Sequence, residues 1–170
     1  MGGIFGALSI VIMLVGGYLP IATFVAPIFA GICLVPVAME LGIRPALLTY
    51  VGVAILSAFF VFPVDPEAAF FFIMFMGYYP IIQPYFAKIK SKALRYLLKL
   101  GIFNIAIVAC YTLLLFVFVS PALQEEFAGF AVWMWLGLLL IGNVLFVVYD
   151  ILLDKVRIIY IHRVRKQFFH

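Results

Sequence analysis

Polar and apolar positions in this chain are segregated, with long apolar runs interrupted only by short polar turns. Crossing a hydrocarbon core of about 30 Å takes roughly 20 helical residues at about 1.5 Å each. Six runs of that order can be read, over residues 3–19, 21–41, 45–62, 67–86, 94–119 and 129–153. In lipid every backbone polar group must be satisfied inside the protein, which leaves helices or a closed barrel. Barrel strands alternate polar and apolar over about ten residues, and these runs do not. The pattern predicts an all-α integral membrane protein, a compact bundle of six transmembrane helices. Residues 1–154 form the transmembrane domain and 155–170 a basic cytoplasmic tail. The connections are short, and no internal repeat is evident.

Composition agrees with lipid as the solvent. Charged residues make up 11% of the chain, hydrophobic residues 68% and aromatics 18%, with 19 Phe. A soluble domain carries roughly 25% charged residues and needs them to cover its surface. The start of the chain lacks the Lys and Arg of a signal peptide, and no small-residue cleavage site follows a short apolar stretch, so the first run is expected to be retained. Cys33 and Cys110 fall inside predicted spans and are expected as small apolar residues without a disulfide.

Charge predicts orientation. The turn between the fourth and fifth runs holds Lys88, Lys90, Lys92, Arg95 and Lys99, and the tail holds Lys155, Arg157, Arg163, Arg165 and Lys166. With Arg44 these are all 11 Lys and Arg, and an even number of spans puts them on one face. Short loops rich in Lys and Arg stay cytoplasmic, so both termini are expected in the cytoplasm, in a multi-pass protein of the cell membrane. The opposite connections carry only the acids Asp65, Glu67, Glu125 and Glu126. The basic hairpin serves topology and anchoring to anionic headgroups at about 1 kcal/mol per cation, and a docking surface for a cytoplasmic partner is the additional reading.

The sequence offers little reactive chemistry. It has no G-x-S-x-G, no H-E-x-x-H and no P-loop, and His162 and His170 lie in the tail. No chain of charged residues for proton coupling is expected at mid-membrane depth, and matched proline-broken half-helices are not evident. The expected protein is therefore not an enzyme and carries no cofactor or metal. Transport by such a chain takes its energy from another subunit.

Other residues suggest contacts. Gly2 with Gly6, and Gly3 with Ala7, are small pairs four apart, a spacing that lets a second helix approach closely, inside this bundle or from a partner. Asp65, Pro66 and Glu67 fit the cap, first position and first turn of a helix, and Ser120 with Pro121 can start a short helix carrying Glu125 and Glu126. Glu67, Phe71, Met74 and Tyr78 form a stripe leading inward, above a kink expected at Pro80. Asn104 and Tyr111 share a face of the fifth run, and Asn143 lies in the sixth. A buried amide needs a partner across helices or on a ligand. Trp133 and Trp135, two apart, point to nearly opposite sides, one suited to the membrane interface and the other to a pocket wall.

Six helices in a chain of 170 residues, small residues four apart in the first helix and a basic hairpin between the fourth and fifth resemble the substrate-binding S components of energy-coupling factor (ECF) vitamin transporters. The stretch "GGIFGALS" is similar to that family's small-xxx-small motif, which contacts the transmembrane coupling subunit. The resemblance implies that role for Gly3, Gly6 and Ala7, and partners comprising the coupling subunit and two ATPases. The nickel and cobalt branch has a histidine beside the initiator Met where this chain has Gly2, so a metal substrate is not implied. The family binds its ligand in the outer half, between the first loop and helices four to six. That implies a ligand site drawn from Glu67, Phe71, Met74, Tyr78, Asn104, Tyr111, Glu125 and Trp133. With no Lys, Arg or His in the outer half, a neutral or cationic ring-bearing organic molecule is expected there. The lipid bilayer completes the expected partners, with no nucleic acid. A scaffold subunit without a small ligand and a stand-alone facilitator are the other readings.

Overall fold

The computed structural model describes residues 1–19, 22–117, 129 and 132–165. Among these, all regular structure is helical: α1 (Gly2–Gly17), α2 (Val25–Ile32), α3 (Leu34–Glu40), α4 (Ile43–Phe60), α5 (Pro66–Phe71), α6 (Tyr79–Phe86), α7 (Lys92–Thr112) and α8 (Val132–Ile159). Three π-helical turns, Phe72–Met76, Leu113–Val117 and Tyr160–Arg165, follow α5, α7 and α8. Among the described residues four helices are long and apolar enough to cross a membrane: Ile43–Phe60, Pro66–Phe86, Lys92–Leu115 and Trp133–His162. Two shorter apolar helices, Gly2–Gly17 and Val25–Glu40, complete the set.

Local chemistry explains the boundaries. Pro36 has no N–H for the carbonyl of Ile32 and crowds it, so the second run breaks into α2 and α3 at Cys33. Gly42 joins α3 to α4 at φ +91°, a backbone conformation open to glycine and strained for other residues. Asp65 caps α5 as the sequence predicts, accepting the Ala68 N–H at 2.9 Å, with Pro66 at the first position. Ser91 caps α7. Arg95 of the basic hairpin folds back to donate to the Ile89 carbonyl at 2.8 Å, closing the turn after α6.

The Pro66–Phe86 helix is the axis of the fold, flanked by α1 to α4 on one side and by α7 and α8 on the other. Met13, Leu34, Val37 and Val53 pack against its Phe72 and Ile81, while Phe103, Phe146 and Tyr149 pack against its Phe75 and Tyr79. Gly31 brings α2 onto this axis, since a β-carbon there would lie 2.2 Å from the Met76 carbonyl oxygen. Cys33 and Cys110 are both free. The end of α3, the start of α4, the end of α6 and Arg157 surround one cleft, and this is the basic end of the molecule. At the opposite, acidic end Gly17 approaches Val64 and Asp65.

Candidate functional site

At the acidic end, aromatic rings from four segments converge. Phe71, at the end of α5, meets Phe24 of the first loop at 5.1 Å between ring centroids and Tyr111 of α7 at 5.8 Å. Tyr111 meets Trp135 of α8 at 6.4 Å. Each contact is edge-to-face, the arrangement that the ring quadrupoles favour. Met74 packs on the same cluster beside buried Cys110 and Leu114. Glu67, in the first turn of α5, is half-buried near this group. Of the two tryptophans, Trp133 is 71% exposed and faces outward, and Trp135 is the one that meets Tyr111. Their spacing shows that they oppose each other but not which one faces in. Glu125 and Glu126, with the helix start expected at Ser120 and Pro121, lie outside the described residues.

The stripe expected from Glu67 through Phe71 and Met74 to Tyr78 shifts partway along. The π turn winds one extra residue into the helix: the Gly77 N–H bonds the carbonyl of Phe72 at 2.8 Å, and Tyr50 OH donates to that of Ile73 at 2.6 Å. Below this point the inward residues are Phe75, Tyr79 and Gln83, and Tyr78 turns aside against Tyr50. Such π insertions leave no mark in hydropathy. Asn104 and Asn143 bond reciprocally across α7 and α8 at 2.8 and 3.0 Å, so their amides satisfy each other.

Toward the basic end the structure assembles a polar cluster that residue spacing did not reveal. Lys99 turns inward from the hairpin and pairs with Asp150 at 2.7 Å, their side chains 7% and 6% exposed. Asp150 Oδ1 also accepts from Tyr79 OH at 2.6 Å and Gln83 Nε2 at 2.7 Å. Gln83 Nε2 lies 3.1 Å from Asp154 Oδ1, and Gln83 Oε1 accepts from Arg157. Three helices thus share one charge-balanced clasp: α6 supplies Tyr79 and Gln83, α7 Lys99, and α8 Asp150, Asp154 and Arg157. A carboxylate with this many donors is compensated for its burial, as an isolated buried charge would not be.

Proline accounts for the remaining links. Pro80 and Pro84 lack the N–H groups that would bond the carbonyls of Met76 and Pro80, four residues earlier. Both carbonyls are met from α8: Tyr149 OH reaches Met76 O at 3.5 Å, and Arg157 donates to Pro80 O. Tyr149 and Arg157 are eight apart and share a helical face. In the sequence the prolines announce free carbonyls, while the partners lie about 70 residues downstream.

In the first helix the two small pairs separate. A β-carbon on Gly2 or Gly6 would press on Thr49 or Val53 of α4, so that pair packs within the bundle. Gly3 has nothing within 4 Å of such a carbon, and Ala7 is exposed. Among the described residues no three His, Cys, Asp or Glu side chains gather as metal ligands. In comparisons with known proteins the chain matches no family model, no curated protein and no solved structure.

Proposed function

We propose that the chain is a six-span protein of the cell membrane with cytoplasmic termini, acting as the substrate-binding subunit of an ATP-driven transporter of the energy-coupling factor type. The observation that carries this reading is the convergence of Phe24, Phe71, Tyr111 and Trp135. Rings from the first loop, the Pro66–Phe86 helix, α7 and α8 meet at the acidic end, where the resemblance puts a ligand. They suit a flat, neutral or cationic organic molecule held by stacking for about 0.5–2 kcal/mol per ring contact. The packed column of Phe75, Tyr79, Phe103 and Phe146 lies between this cluster and the basic end. It favours a subunit opened by a partner over a stand-alone facilitator. The open face of Gly3 and Ala7 is the docking surface for that partner, a transmembrane coupling subunit bearing two ATPases.

The test joins two measurements. Thermal-shift screening of neutral and cationic ring-bearing micronutrients on the purified chain should give a stabilising ligand, and Tyr111→Ala and Trp135→Ala should weaken its binding. Gly3→Leu, placed where the side chain meets nothing of this bundle, should leave binding intact and abolish co-purification with the coupling subunit. Tight binding of an anionic vitamin, unchanged in both ring variants, would overturn the ligand assignment. Normal assembly of the Gly3→Leu chain would overturn the docking face.

A further inference from the structure

A second hollow lies at the other end of the molecule. Between α3 and α4 on one side and α6 on the other is a cleft of about 380 Å³. Ala38, Met39, Ile43, Pro80, Ile81 and Pro84 form its apolar walls. Two cations line it. The Lys88 ammonium lies over the Tyr85 ring, 4.8 Å from its centroid. The Arg157 side chain is 14% exposed and fixed by Pro80 O and Gln83 Oε1, leaving other donors of its fork unspent by those two bonds. Asp154 Oδ1 lies 3.6 Å from the Arg157 guanidinium but is 63% exposed, so solvent screens it and it offsets only part of that charge. Glu40 ends α3, and Arg44 lies in the first turn of α4.

Apolar walls beneath a cationic rim match an amphiphile with an anionic head. A small water-soluble anion would use the rim and leave the walls wet, and a neutral lipid would use the walls and leave Lys88 with only the Tyr85 ring against it and Arg157 with only its clasp carboxylates. Basic pockets between transmembrane helices are a recognised seat for anionic headgroups, and a phosphate accepts from both a guanidinium fork and an ammonium. We propose that this cleft binds the phosphate headgroup of an anionic phospholipid, with an acyl chain laid against Ile43, Ile81 and Pro84. The site stands at the opposite end from the aromatic cluster and is independent of what that cluster holds.

Native mass spectrometry of the full chain in detergent, with phosphatidylglycerol and phosphatidylcholine at equal concentration, tests this. One phosphatidylglycerol per chain should be retained and phosphatidylcholine lost. Lys88→Gln, at an exposed position, should weaken retention about fivefold, the effect of one cation near an anionic surface. Ala38→Phe should fill the hollow and abolish retention, with the thermal midpoint in the same detergent checking that the chain stays folded. Equal retention of both lipids, or unchanged retention by Lys88→Gln, would overturn the proposal. Displacement of the lipid by millimolar glycerol phosphate would also overturn it, assigning the cations to a free phosphate.

Discussion

The Pro66–Phe86 helix and the Trp133–His162 helix invert the rule of water-soluble proteins. The first is the least apolar of the four long helices, yet 61% of an 18-residue stretch of it is buried, and the second is the most apolar with 22% of such a stretch buried. In water the apolar helix would go inside. In lipid the hydrocarbon accepts apolar side chains as readily as the core does, so burial goes to the helix whose backbone needs help. The two prolines and the π turn of Pro66–Phe86 open carbonyls that hydrocarbon cannot satisfy. Trp133–His162 gives most of its surface to the outside and one face, Tyr149 to Arg157, to completing its neighbour.

The axis depends most on the clasp, and removing one side of it should have the largest effect. Asp150→Leu should destabilise the folded chain by about 3–5 kcal/mol, because it leaves Lys99 buried without its carboxylate. Adding Lys99→Leu should recover more than half of that loss. Unfolding midpoints in a single detergent measure both, and an Asp150→Leu chain as stable as the parent would show that the clasp carries no energy. Next in size is Gly31→Ala, which sets a β-carbon against the Met76 carbonyl and should cost about 1–3 kcal/mol. Gly52→Ala, on an open face of α4, should stay within about 0.5 kcal/mol of the parent. Equal effects of the two would erase the contrast between axis and periphery.

Smaller still is Asn104→Leu, which breaks the reciprocal amide pair with Asn143 and should cost up to about 1.7 kcal/mol, the upper end for one polar link between membrane helices. Last comes Trp133→Ala. At 71% exposure its loss should move stability by less than about 0.5 kcal/mol, and a larger drop would mean that it packs inward.

Most helix positions were legible in the sequence because length and apolarity alone mark them, as were the Asp65 cap and the opposed tryptophans. But α8 runs on to Ile159 where a tail was expected from residue 155, and the second run breaks at Cys33. Three features were not legible. Glu67, Phe71, Met74 and Tyr78 share a face only in an unbroken α-helix, and one inserted residue at Phe72–Met76 hands that face to Phe75, Tyr79 and Gln83. Lys99 reads as one of the hairpin's anchoring cations, and only the fold turns its side chain inward against Asp150, 51 residues away. Phe24 reads as part of the second apolar run, 21–41, whereas α2 starts only at Val25 and leaves Phe24 in the loop before it, against the distant Phe71. In each case a local pattern was resolved by a contact between distant segments.

The two carbonyls opened by Pro80 and Pro84 also set a clock on biosynthesis. Translation delivers the Pro66–Phe86 helix before the residues of α8 exist, so Met76 O and Pro80 O are at first without Tyr149 and Arg157. In a membrane each of these carbonyls, unmet in hydrocarbon, would cost several kcal/mol until α8 arrived. Chains halted before residue 132 should be cleared by membrane proteases faster than chains halted after residue 165, and equal half-lives would show that lipid or water meets those carbonyls in the interim.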